Sequence, residues 1–370
     1  MKHAFARALL ASLPLLAAYP AYAQQGPEGP PAAEEPIVVT PVAVYPAAGL
    51  MNGHTHDGGE FMIGLRYTRN SYSGANQSGT DPVSDAEVLA AGYTVAASEM
   101  TMDMVMLDLM YAPTDTLTFM VMPHWMRHEM TMVGIDPANT GMPMGGMEMG
   151  DMDHGHHGLT FGQSMTHSTQ GFGDTLVSVS YRLANTPGLK AHATLGVWAP
   201  TGKVDRKNAD GTFAHYMMQS GSGTWDIEPV VTVTGQSGMI SYGAQASYRW
   251  RTADANESGF TFGDKAQASG WVSYLVDSGF SLTSRLTWEH EGQILGQYNG
   301  PHNSRTPSDI QANYGGDTVL AGFGANIALP VGGRHRPQVG MEIGVPLYQD
   351  LNGIQLPEDW RVSLSLSQTF

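Results

Sequence analysis

From residue 60 to the C-terminus, apolar side chains alternate with polar or small ones in segments of ten or more residues. A period of two is typical of β-strands that present two different faces. Strand after strand, the apolar face ends in aromatic residues, and arginines lie on the opposite face. This combination predicts a transmembrane β-barrel, because lipid accepts only apolar outward side chains and a closed ring leaves no unpaired edge.

Twelve such segments can be counted, which predicts an all-β, antiparallel up-and-down barrel of about 12 strands with both termini in the periplasm. Long connections, which suit extracellular loops, alternate with short ones, which suit periplasmic turns. The strands are predicted near residues 60–70, 101–111, 116–132, 173–184, 189–199, 224–235, 238–251, 264–277, 279–290, 317–329, 336–347 and 360–370.

The N-terminal region divides into two predicted parts. Residues 1–23 have the basic start, apolar stretch and small-residue cleavage site of a secretory signal peptide. Residues 24–59 are rich in proline and predict an extended periplasmic lead. The barrel is assigned to residues 60–370, with a Met- and His-rich extracellular loop at residues 133–172. Together these features predict the outer membrane of a Gram-negative-type bacterium, reached through a cleaved signal peptide.

Composition excludes several classes of function. The chain has 34 acidic and 18 basic residues, so no basic surface is expected to displace phosphate counterions from a nucleic acid. The absence of cysteine excludes disulfides, thiolate zinc sites and thiol nucleophiles. Beyond the N-terminus, no stretch approaches the roughly 18 apolar residues of a membrane helix. No catalytic arrangement is recognisable, and the chain is not expected to be an enzyme.

Methionine is concentrated in one region, since residues 100–152 hold 15 of the 23 methionines. In the second and third predicted strands, apolar residues such as Leu107 and Phe119 form the lipid-type face. Successive side chains of a strand point to opposite faces, so the methionines and histidines should face the lumen. This inward set comprises Met102, Met104, Met106, Met110, Met120, Met122, His124, Met126, His128, Met130 and Met132.

Two further groups add candidate metal ligands. The predicted loop contributes Met142, Met144, Met147, Met149, Met152, His154, His156 and His157, and His54 and His56 precede the first strand. Thioether sulfur is a soft, uncharged donor that suits Cu(I) or Ag(I), and imidazole also suits Cu(II). All these residues are predicted metal ligands. No cofactor is required, because the ion would be bound or transported as cargo.

The leading hypothesis is an outer-membrane channel or transporter for a soft transition metal, with copper expected. Methionine is also a flexible apolar side chain, so the inward wall could instead line a path for hydrophobic molecules or pack against an interior plug. The alternative is therefore a passive channel for small hydrophobic or aromatic compounds. Outer-membrane lipid, the barrel-assembly machinery and a periplasmic metal carrier are the expected partners, and no nucleic acid is expected.

Three motifs resemble a known family. They are the turn YAPTDTL at residues 111–117, GFGD at residues 171–174 and WAP at residues 198–200. They resemble the outer-membrane family labelled for the meta-pathway of phenol degradation, over roughly residues 50–370. The resemblance implies a barrel that transports small, often aromatic compounds, but it supplies no binding residues. The His54-x-His56 pair and the Met-rich strands are similar to a subgroup associated with copper and heavy metals.

Overall fold

The computed structural model describes residues 47–140, 159–330 and 335–370. In these residues the chain forms a closed antiparallel barrel, which confirms the predicted fold class. Its strands are β1 (Phe61–Ser73), β2 (Val95–Thr114), β3 (Leu117–Met122 and His124–Gly134), β4 (Ser164–Phe172 and Thr175–Thr186), β5 (Leu189–Ala199), β6 (Asp226–Ser237), β7 (Ile240–Arg251), β8 (Lys265–Asp277), β9 (Phe280–Glu291), β10 (Gly316–Ala328), β11 (Gln338–Gln355) and β12 (Glu358–Thr369). The ring closes because β1 pairs with both β2 and β12.

The connections carry the smaller elements. These are helix α1 (Asp85–Ala90), the 3-10 helices Tyr216–Met218, Pro307–Asp309 and Gln311–Asn313, and the short strands Gln77–Gly79, Asp81–Pro82, Phe260–Thr261 and Leu295–Gly296. Helix α1 begins with a capping box, in which Ser84 Oγ accepts from the Glu87 amide and the Glu87 carboxylate accepts from the Ser84 amide. Within the described ranges, no helix has the length and apolarity to cross a membrane.

The two faces of the strands differ as the alternation predicts. On β7, Tyr242 and Trp250 are about half exposed on the outer surface, whereas Arg249 faces the lumen. On β9, Leu286 is 53% exposed and its neighbour Arg285 only 8%. The outward side chains therefore form an apolar band that lipid can cover, while the charged side chains are enclosed.

At the extracellular end, the outward face of the first strands becomes polar. Arg69 Nη1 lies 3.6 Å from Asp103 Oδ1, the Tyr67 hydroxyl donates to the same carboxylate at 2.5 Å, and Arg127 pairs with Glu129 at 2.7 Å. Charged side chains on the lipid-facing surface are costly within the bilayer. Strands β1, β2 and β3 therefore extend beyond the membrane here.

Because of these extensions, several strands begin earlier than the sequence predicted. Strand β2 begins at Val95 instead of near residue 101, and β4 begins at Ser164 instead of near residue 173. The predicted loop at residues 133–172 is consequently too long, because both of its ends belong to strands. Most outward residues of these extensions, such as Glu99, Thr166 and Ser168, are polar, so the extensions lack the lipid-facing pattern although their backbones stay paired in the sheet.

The predicted alternation of long and short connections fails at one place. Strand β11 runs to Gln355 instead of ending near residue 347, and only Leu356 and Pro357 separate it from β12. Its last residues pair with β10 and with the short strand Gln77–Gly79. The last extracellular connection is therefore a two-residue link.

Strands β3 and β4 are each interrupted once, and the two interruptions are adjacent in the sheet. Pro123 lacks an N–H group and interrupts β3, although its carbonyl still accepts a hydrogen bond from the Leu107 amide at 3.1 Å. On β4, the Gly173 amide donates to the His124 carbonyl at 2.9 Å. A Cβ atom on residue 173 would lie 2.0 Å from His124 Nε2, which explains the second glycine of the GFGD motif.

Candidate functional site

A cavity of about 510 Å³ occupies the lumen of the barrel. Strands β2 and β3 supply one side of its wall, and charged residues of β6 to β12 supply much of the other. Gln219 and Tyr314 line it from the extracellular loops, and residues 49–52 line it from the N-terminal side. The cavity thus lies between the loops and a segment that precedes β1.

The side chains of β2 and β3 point as the sequence predicts. All eleven predicted inward residues face the interior, and we call them the Met wall. Met102, Met104, Met106, His124, Met126, His128 and Met130 line the cavity, and Met110, Met120, Met122 and Met132 are buried. The predicted direction is confirmed, whereas a role in metal binding stays a prediction.

Strand register sets which of these side chains meet. In the pairing of β2 with β3, Met102 lies opposite His128, Met104 opposite Met126 and Met106 opposite His124. Directly opposed residues of an antiparallel pair have their Cβ atoms about 4.5–5.5 Å apart. Thioether and imidazole groups are therefore cross-strand neighbours in two of these three pairs.

Both ends of the Met wall are packed. Towards the periplasm, Met106, Met110, Met120 and Met122 pack with Met62, Leu176 and Trp198, and of these four only Met106 also borders the cavity. Towards the extracellular side, Met100, Met130 and Met132 pack with Leu159 and Met218. The packing interpretation thus applies to the ends of the wall, while its middle borders the cavity.

Ion pairs dominate the opposite side of the lumen. Arg361 Nη1 lies 2.9 Å from Glu289 Oε1, and Lys265 Nζ lies 3.3 Å from Glu289 Oε2. Arg285 and Glu342 form a buried pair, as do Arg251 and Asp226. Because each of these cations has a carboxylate partner, this charged wall is polar without a large local excess of either sign.

Trp198 joins the two walls, and the sequence pattern alone did not identify it as a lumen residue. Its Nε1 donates to Glu228 Oε2 at 2.5 Å, and the Arg249 guanidinium lies 3.7 Å from the ring centroid. The centroid of the His124 ring lies 6.0 Å from that of Trp198, in an edge-to-face arrangement. Strand parity could have identified it. Trp198 is an odd number of positions from Leu195, which is exposed on the outer face, so the two side chains point to opposite faces.

Residues 47–58, which we call the lumen segment, lie against inward-facing side chains. The Leu50 carbonyl accepts from Arg66 at 2.9 Å, and the Asn52 carbonyl lies 2.8 Å from His192 Nε2. Arg182 donates to Thr55, His56 and Asp57 at 2.8–3.0 Å. This segment belongs to the predicted periplasmic lead, and the sequence left open whether that lead occupies the lumen. The structure places residues 47–58 against the lumen wall. Residues 24–46 of the predicted lead and the signal peptide lie outside the described residues.

The two histidines of this segment occupy its end near β1. His56 Nδ1 lies 3.4 Å from Glu60 Oε2, and Glu60 Oε1 lies 3.3 Å from His335 Nε2. Burial lowers the pKa of His56, although Glu60 opposes the shift. The rings of His54 and His56 are 4.9 Å apart. Across the described ranges, no three His, Asp or Glu side chains are grouped so as to hold a metal ion.

The predicted loop ligands are outside the residues that the structure describes. They are Met142, Met144, Met147, Met149, Met152, His154, His156 and His157. Their assignment as metal ligands stays a prediction from composition.

Aromatic residues connect the extracellular loops above the cavity. Tyr298 stacks between Phe213 and Tyr216, with ring centroids 4.2 and 4.3 Å apart. Burial raises the pKa of Tyr298, whose hydroxyl donates to the Ala214 carbonyl at 2.9 Å and accepts from Gln219. Loops around residues 213, 260 and 298 therefore form one packed layer.

Comparison with solved structures supports the fold. An outer membrane channel from Pseudomonas putida F1 is similar, with a TM-score of 0.56 and 18% identity over 89% of this chain and 100% of that chain. The P. putida toluene transporter TodX is a more distant match that carries no weight for the fold, with a TM-score of 0.39 and 10% identity over 85% of this chain and 90% of that chain. The fold and its apolar outer band identify an outer-membrane β-barrel.

Comparison of the sequence with known proteins gives the family. No curated protein matches the chain. A family model described as "Putative MetA-pathway of phenol degradation" matches residues 127–353, which is more than half of the chain. The resemblance indicated by the three motifs is thereby confirmed, and the chain belongs to this family.

Proposed function

We propose that the protein is an outer-membrane channel for small aromatic compounds that carry a polar group. The observation that carries this proposal is that one cavity is lined by the Met wall on one side and by the charged wall on the other. An aromatic ring can pack against the methionine side chains, because they are apolar and flexible enough to adapt to its shape. A hydroxyl or carboxylate on the ring can at the same time bind the polar wall.

The position of Trp198 supports this arrangement. Its ring neighbours both His124 of the Met wall and Arg249 of the charged wall. An aromatic solute could therefore pack on the methionines while its polar group reaches Arg249 or Glu228. The description of the family, which names phenol degradation, agrees with this class of solute. The proposal assigns no catalytic step to the chain.

Polar substitution in the Met wall tests the proposal. Met104 and Met126 face each other across β2 and β3 and border the cavity. Replacing both with glutamine, which has a similar length, should lower the uptake of 4-hydroxybenzoate into proteoliposomes about fivefold, because roughly 1 kcal/mol of apolar contact is lost. The matched double leucine variant should keep the uptake. Equal uptake by the glutamine variant and the unmodified barrel would contradict the proposal.

A second candidate function is the passage of a soft metal such as copper. It is favoured by the register that sets Met102 against His128 and Met106 against His124. Neutral thioether and imidazole ligands suit Cu(I), and neutral sites can release an ion to the next site. The barrel-assembly machinery and a periplasmic metal carrier remain predicted partners.

One variant separates the two candidate functions. Changing Met104, Met106, Met122 and Met126 together to leucine removes four sulfur donors and keeps an apolar wall. Passage of Ag(I) into proteoliposomes should then fall at least tenfold, corresponding to about 1.4 kcal/mol, while uptake of 4-hydroxybenzoate should persist. Equal loss of both activities, or of neither, would contradict a separate metal function.

A further inference from the structure

The middle of the Met wall differs from its packed ends. Met102, Met104 and Met126 are only partly buried, and all three line the cavity. By contrast, Met110, Met122 and Met132 are at most 4% exposed. The middle sulfur atoms can therefore contact a solute or an ion that enters the lumen.

Two imidazoles flank this middle region. His124 and His128 are 8% and 1% exposed, and they lie four positions apart on the inward face of β3. The Nδ1 atom of each is buried without a hydrogen-bond partner among the described residues. A buried nitrogen without a partner is unfavourable, and each of these two histidines lies opposite a methionine in the strand pair.

The spacing of the pairs favours a row of soft donors. Pairs on one face of a strand recur every two residues, or about 6.6–6.8 Å. Along this row the pairs are Met102 with His128, then Met104 with Met126, then Met106 with His124. A sulfur-only pair thus lies between two pairs that each offer one sulfur and one nitrogen.

Carboxylates are absent from these three pairs, although Asp103 lies between the first two on β2. Its side chain points outward, where it contacts Tyr67 and Arg69. The donors are therefore neutral and mostly soft, a set that selects Cu(I) or Ag(I) over Zn(II) and the harder divalent ions.

We infer that the middle of the Met wall is a binding site for soft monovalent metal ions. The pairs Met102/His128 and Met106/His124 each hold one ion, and Met104 and Met126 supply sulfur between them. This inference rests on the second candidate function and deepens it, because it locates the ions and states their number. It is independent of the passage of aromatic compounds.

Titration of the purified full-length barrel with Ag(I) tests the site. The loop ligands are first silenced by changing their methionines to leucine and their histidines to glutamine, so that they do not contribute to the count. In this background, Met102→Leu with His128→Gln should lose one bound Ag(I), and Met106→Leu with His124→Gln should lose another. Met341→Leu is the matched control, because Met341 is 55% exposed on the outer face.

Three results would overturn the inference. They are unchanged Ag(I) stoichiometry in both pair variants, an equal loss in the Met341 control, and Zn(II) binding as tight as Ag(I) binding. The mobility shift of the unheated barrel in gels verifies that each variant is folded. If a pair variant does not fold, X-ray absorption at the silver edge of the loop-silenced barrel decides. Sulfur and nitrogen neighbours are expected, and only oxygen or nitrogen neighbours would overturn the site.

This experiment is distinguishable from a test of transport. The titration measures binding in detergent and does not depend on passage through the barrel. A failed titration overturns the site itself. A successful titration combined with no Ag(I) flux overturns only the transport role of the second candidate function.

Discussion

Replacing Gly49 with leucine is expected to displace the lumen segment and to raise the conductance of the barrel. A Cβ atom at this position would lie 2.5 Å from Glu342 Oε1 and 2.6 Å from Arg285 Nη2. These atoms belong to a buried ion pair and cannot move apart at low cost. Overpacking a well-packed interior typically costs about 1–3 kcal/mol. We therefore expect an increase in conductance on the order of tenfold, since 1.4 kcal/mol shifts a population by that factor.

The hydrogen bonds of the lumen segment explain why it stays inside the lumen in the unmodified chain. Several of its carbonyls accept from side chains of different strands, including Arg66, Arg182 and Gln245. These bonds span much of the ring, so the segment crosses the path through the barrel. Because backbone oxygen atoms accept these bonds, leucine at position 49 leaves every donor and acceptor in place. It displaces the segment by its bulk alone.

Single-channel recording in planar bilayers measures this effect. The control is Gly188→Leu, because Gly188 lies in the turn between β4 and β5, where an added Cβ atom would have no neighbour within 4 Å. Deleting residues 47–57 gives the conductance of a barrel without the segment. If the deletion conducts strongly while Gly49→Leu behaves like the unmodified protein, the segment accommodates the leucine and the proposed clash with the ion pair is wrong.

The barrel could be predicted because lipid and lumen impose opposite requirements on alternate residues. Trp250 and Leu286 face outward and Arg249 and Arg285 inward, as the period of two predicts. The same rule predicted the direction of every residue in the Met wall. It misses the strand ends that leave the membrane, because water accepts outward polar residues there, such as Glu99 and Thr166.

The candidate site was only partly predictable for a different reason. Side-chain direction follows from strand parity, but the pairing of Met102 with His128 depends on the register set by the turn at residues 115–116 and on the break at Pro123. The lumen segment is held largely through its backbone carbonyls, which every residue possesses. Its sequence, which contains no proline although it follows a proline-rich stretch, therefore carried no sign that the Leu50 and Asn52 carbonyls would find partners inside the barrel.

Changing Glu342 to glutamine is expected to lower the free energy of unfolding by about 3–5 kcal/mol. Glu342 is 3% exposed and accepts two hydrogen bonds from Arg285, one of them from Nε at 3.2 Å. Removal of the carboxylate charge leaves the guanidinium buried without its counter-ion. Urea unfolding of the barrel in lipid vesicles, followed by tryptophan fluorescence, measures the change. The double variant Arg285→Met with Glu342→Met should recover most of the stability, because it buries no charge.

An exposed ion pair provides the matched comparison. Arg127 and Glu129 are 49% and 43% exposed beyond the membrane, so Glu129→Gln should change stability by less than about 1 kcal/mol. A large loss for Glu342→Gln beside a small one for Glu129→Gln would mean that the charged wall is dry enough to require paired charges. Small losses in both variants would mean that lumen water hydrates Arg285. The cavity would then admit water along its charged wall, and polar solutes would need no aromatic ring to enter it.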